Sequence, residues 1–121
     1  MKNKSDIVGT LAFLVVSTLY ISSALANHTF LDPRIDGRNV DRCVNSQRFP
    51  DNCSEAASNE AARRFCAANG YTDIVQYQTV DHHWLHPRPT VKWYEEWSGG
   101  VLLEHFKPEM GGWIFTAIEC H

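Results

Sequence analysis

Four cysteines, Cys43, Cys53, Cys66 and Cys120, constrain this chain more than any other feature. They include no CxxC pair, and their gaps of 10, 13 and 54 residues do not match a zinc ribbon or knuckle. An even cysteine count in a short secreted chain reads as a disulfide framework, so two disulfides are expected. Three pairings are open. Chain entropy favours Cys66 with Cys120, because closing a long loop stabilises by about 4 kcal/mol against about 3 kcal/mol for a short one.

The oxidising route is written in the first 26 residues. Lys2 and Lys4 precede an apolar run from Ile7 to Ser22, and Ala24-Leu25-Ala26 supplies the small residues that signal peptidase requires. Cleavage is expected after Ala26. The alternative is an uncleaved anchor, since the run approaches a marginal membrane helix of about 17 residues. The Ala-x-Ala site and the polar Asn27-His28-Thr29 favour cleavage, which leaves no membrane segment.

Without Lys2, Lys4 and Asp6 the mature chain carries nine Lys/Arg and thirteen Asp/Glu, a net charge of −4 before histidine. Each Arg between Arg34 and Arg48 has an Asp nearby, so no basic stripe is available to neutralise phosphates, and nucleic acid is excluded as a partner. A chain this short builds one small core, so covalent staples matter and a monomer is expected. Two sequons, Asn27-His28-Thr29 and Asn52-Cys53-Ser54, make Asn27 and Asn52 candidate glycan sites.

Three segments follow: a signal peptide at 1–26, an irregular N-terminal arm at 27–50, and a disulfide-stapled domain at 51–121. In the arm, Asp32-Pro33, Asp36-Gly37 and Phe49-Pro50 read as turns. Asp32, Asp36 and Asp41 do not form a calcium loop, because Cys43 stands where the bidentate Glu would be. The clearest element is an Ala-rich helix from Asn52 to Gly70. Asn52 or Ser54 caps it, Glu55 suits its positive end, Arg63 and Arg64 suit its negative end, and Gly70 stops it. Ala57, Ala61, Phe65 and Ala68 share its inner face.

Beyond the helix the period becomes two. Strands are expected over Tyr71–Val80, Thr90–Trp97, Val101–Phe106 and Trp113–Cys120. Ser98-Gly99-Gly100 reads as a hairpin turn, and Lys107 to Gly112 as a longer loop. The expected class is α+β, with one Ala-rich helix packed on an antiparallel sheet of about four strands.

The string from Phe49 to Ala57, then Phe65-Cys66, Gly70-Tyr71 and the terminal Ile118-Glu119-Cys120, resembles a group of small secreted, cysteine-containing plant proteins of poorly defined function. The resemblance covers roughly Asp32 to Cys120. It implies an apoplastic, extracellular protein and transfers no catalytic residue. Many members carry two further cysteines in the segment that is Val101 to Gly112 here, where this chain has none.

Few constellations carry chemistry. His82, His83 and His86 cluster, but His82 and His86 converge on a metal only in a helix, and Pro87 and Pro89 argue for an extended loop. They remain weak metal candidates, and no cofactor is expected. Glu95, Glu96, Glu104 and Glu109 read as solvated strand edges rather than a glycosidase pair. No catalytic residue and no enzyme are expected. Trp84, Trp93, Tyr94 and Trp97 are the binding candidates; the alternative for Trp93 and Trp97, which share one strand face, is core packing under the Ala-rich helix. The expected function is a secreted binding or defence-type module that recognises a wall polysaccharide or protein through an aromatic sheet surface. The alternative is an apoplastic signalling or structural protein with one dedicated protein partner.

Overall fold

The computed structural model describes residues 26–81 and 86–121, so the expected leader up to residue 25, His82, His83 and Trp84 lie outside the described residues. The helix forms as its sequence dictates. α1 spans Glu55–Ala68, and the Ser54 side chain accepts the Ala57 N–H at 3.1 Å. At the other end Tyr71 N–H donates to Cys66 O and Gly70 N–H to Ala67 O, with Gly70 at φ +88°. This paired arrangement satisfies the last carbonyls and needs the left-handed backbone that glycine adopts freely. Ala57, Ala61, Ala62, Phe65 and Cys66 are buried, whereas Ala68 is exposed in the final turn.

The sheet corrects the expectation of about four antiparallel strands: it has seven and is mixed. Three come from the segment before the helix: β1 (His28–Leu31), β2 (Arg34–Ile35) and β3 (Arg38–Asn45). Four follow it: β4 (Ile74–Asp81), β5 (Arg88–Ser98), β6 (Val101–Gly111) and β7 (Trp113–Cys120). β4 pairs one edge of β7, while β1 and β3 meet the other edge, β1 along Ala117–Cys120 and β3 at Ile114. β3 then pairs β5 in parallel, and β5 pairs β6 antiparallel. Parallel pairing requires a long crossover, which α1 and β4 supply between β3 and β5.

The turn residues in 27–50 do not break the sheet; they fold it. Asp36 and Gly37 both take positive φ in the tight link between β2 and β3. Lys107 to Gly111, expected as a loop, instead continues β6. Pro108 is tolerated there because β6 is an outer strand, where a missing outward N–H costs no ladder bond. Gly99 and Gly100, at φ +58° and +81°, make the expected two-residue turn between Ser98 and Val101.

The core lies between α1 and one face of the sheet. Val40, Val44, Val91, Trp93, Phe115 and Ile118 meet the small residues of the helix, whose alanines allow close approach. Cys66–Cys120 ties the helix to β7, and Cys43–Cys53 ties β3 to the turn that leads into α1. No cysteine is unpaired.

Candidate functional site

The β5–β6 hairpin carries alternating side chains past the end of the helix. Trp93, Glu95 and Trp97 share one face of β5, opposite Phe106, Glu104 and Leu102 of β6. Trp93 is 7% exposed, packed edge-on against Phe106 at 5.2 Å and beneath the Arg64 guanidinium at 4.6 Å. Trp97 is 65% exposed, because β3 pairs β5 only as far as Tyr94 and no described residue covers the hairpin tip. The expected aromatic pair is therefore divided: Trp93 is core and Trp97 is surface. Tyr94 lies on the opposite face, half-buried, with its hydroxyl donating to Glu109 at 3.0 Å and the Lys107 ammonium 4.6 Å from its ring.

Trp97 borders a groove of about 570 Å³ that also touches Asn45, Ser46, Gln47, Arg48 and Glu104. A buried ionic network fixes its floor. Glu95, with its side chain 4% exposed, accepts from Ser46 Oγ at 2.7 Å, from Arg48 at 2.6 and 2.9 Å, and from Trp93 Nε1 at 2.8 Å. Glu60 of α1 accepts from Arg48, Arg63 and Arg64. The Arg48 hydrogen bonds, with those from Trp93 and Ser46, outweigh burial and hold the Glu95 carboxyl down at about 2. At Glu60, burial pushes the carboxyl up, but Arg64 and Arg48 together bring it below its ordinary range. A carboxylate so held donates no proton near neutrality. The network therefore builds a rigid wall rather than an acid catalyst.

A second cleft, of about 320 Å³, opens on the other face of the sheet over the Cys43–Cys53 disulfide, bordered by Lys92, Glu109, Gly111 and Trp113. At its floor is Asp41, 3% exposed. The β3 ladder shifts register between Val40 and Val44, and there the Asp41 Oδ1 accepts the Cys43 N–H at 2.8 Å. Burial pushes the Asp41 carboxyl up to about 6, and Glu109 adds to it, while the Cys43 bond, Lys92 and Arg42 oppose.

Of the sequence-expected residues, Trp97 is placed on a groove, Trp93 is removed to the core, and Tyr94 faces away. No sequence pattern singles out Arg48 or Asp41 for binding. The Arg48 and Glu95 positions are far apart in sequence, and no local pattern joins them. His86 is exposed beside Arg34, Asn39 and Arg88. No cluster of three or more metal-ligating side chains occurs among the described residues. Glu96 accepts from His105 at 2.9 Å and Lys107 at 3.3 Å, and Lys92 bridges to Glu109 at 3.0 Å, so these carboxylates are paired. Asn27 and Asn52 are both exposed, Asn52 with its carbonyl bonded by the Val44 N–H. No family model, no curated protein and no solved structure matches the chain.

Proposed function

We propose that this chain is a secreted, non-enzymatic binding module that takes an uncharged wall polysaccharide in the Trp97 groove. The observation that carries the reading is Trp97 itself: a tryptophan left 65% exposed beside a groove rimmed by short polar side chains. An indole face stacks on the apolar face of a sugar ring, and Asn45, Gln47 and Arg48 offer hydrogen bonds to its hydroxyls. The acidic balance of the groove, with Glu95, Glu96 and Glu104 against Arg48, disfavours an anionic glycan. Support for secretion comes from the leader-like first 26 residues and the two disulfides. The resemblance to small secreted plant proteins agrees with an apoplastic setting.

Titration with cellohexaose tests the reading. Intrinsic fluorescence shifts on binding, and Trp97→Ala abolishes the shift while the circular dichroism spectrum is unchanged. A Trp97→Ala protein that binds as tightly as the wild type overturns it.

One observation favours a dedicated protein partner instead. Leu102 lies directly across the hairpin from Trp97 and is exposed with it, an apolar pair of the kind that anchors protein interfaces. Capture of one receptor that is lost in both Trp97→Ala and Leu102→Ser, with no response to any glycan, would establish this alternative.

A further inference from the structure

The cleft over Asp41 is unconnected with the Trp97 groove, lying on the opposite face of the sheet, and its floor has an unmet need. Asp41 is 3% exposed, and only one of its two carboxylate oxygens is bonded. Oδ1 takes the Cys43 N–H; Oδ2 accepts from no described residue. Oδ2 is turned toward Gly111, where a β-carbon would stand 2.8 Å from it and 3.2 Å from Thr90 Oγ1. Glycine at this position keeps the cleft open above the oxygen.

The described charges around the cleft do not supply the missing donor. Lys92, the nearest cation on β5, is committed to Glu109 of β6 at 3.0 Å, and the second oxygen of Glu109 takes the Tyr94 hydroxyl. Arg42, on β3 beside Asp41, is spent on Asp81 at 2.7 Å and on the Cys53 carbonyl at 2.6 Å. Among the described residues two carboxylates therefore face the cleft against one ammonium. A buried carboxylate lacking a donor is costly, and a cation that brings both charge and N–H groups relieves the cost. The volume suits a ligand of monosaccharide size.

We infer that the Asp41 cleft is a second binding site, for a primary ammonium group carried on a compact frame, with Asp41 Oδ2 and Glu109 as its acceptors. An amino sugar and a short aliphatic diamine both present this chemistry. Asp41 is half-protonated at about pH 6, so an incoming cation displaces its proton. Lys92, Glu109 and Arg42 are the described charged groups that act on it.

Calorimetry with glucosamine and with putrescine tests the site, with N-acetylglucosamine as the uncharged control. Wild-type protein binds at least one of the amines and ignores the control. Binding at about pH 5 releases protons to the buffer, and at about pH 8 it does not. Asp41→Asn, which keeps the Cys43 hydrogen bond, weakens binding at least tenfold and abolishes proton release, whereas Trp97→Ala leaves both intact. Whichever amine binds more tightly identifies the frame. The inference is overturned if neither amine binds the wild type, if the control binds as well as glucosamine, or if Asp41→Asn binds unchanged.

Discussion

At the residue scale two buried carboxyls, one on each face of the sheet, behave in opposite ways for a common reason. Glu95 has three hydrogen-bond partners and sits low; Asp41 has one and sits high. A depressed carboxyl stabilises the fold above its unfolded value near 4.5, and that contribution is lost as pH falls toward about 2. Glu95→Gln should therefore cost about 3 kcal/mol at neutral pH, shrinking toward nothing near pH 2, as read by urea denaturation. Asp41 has the reverse sign. Its pKa is raised from 3.8 to about 6, so ionisation in the fold is penalised and stability falls as pH rises through that window. Asp41→Asn should be nearly neutral below about pH 4 and stabilising by about 3 kcal/mol above about pH 7. Neither behaviour is visible in the sequence. Asp41 reads there as one of several loop aspartates, because its burial depends on β5 and β6 closing over it.

At the scale of elements the helix was legible nearly to the residue and the first three strands were not. α1 announces itself locally, through Ser54, its alanines and Gly70, and its stability responds locally too. Ser54→Ala removes the bond to Ala57 and should cost about 1 kcal/mol in thermal or urea unfolding. Ala61→Leu should cost more, about 1–3 kcal/mol, because the fully buried alanine face has no room for a larger side chain. The β5–β6 turn was equally plain, since Gly99-Gly100 supplies both positive φ angles. β1, β2 and β3 are short or bulged and punctuated by Asp-Pro and Asp-Gly. β1 and β3 take their strand character from partners distant in the chain, β7 and β5, and β2 takes its from β3 alone. Pro108 misled for the same reason: a proline breaks an inner strand, and only the strand order reveals that β6 is at the edge.

For the whole molecule the disulfides carry the helix–sheet assembly. Cys66–Cys120 spans 54 residues and joins α1 to the central strand β7, whereas Cys43–Cys53 spans 10 and stays near the surface cleft. Replacing the long-range pair with alanine should cost about 4 kcal/mol and the short-range pair about 3 kcal/mol. Equal or inverted losses in denaturant titrations of the two double variants would show that loop closure is not what the staples contribute. The same assembly sets the function proposed above. The sheet outruns α1, so the core takes Trp93 and the hairpin end leaves Trp97 in water beside the polar turn at Asn45–Arg48. That division could not be read from alternation, which places both tryptophans on one face; it follows from where the helix and β3 stop. Chemical-shift mapping of cellohexaose on isotopically labelled protein tests it most directly. Perturbations confined to Asn45 to Arg48, the Trp97 indole and Leu102 to Glu104 are the expected result. Perturbations elsewhere on the sheet, or none at saturating sugar, would contradict it.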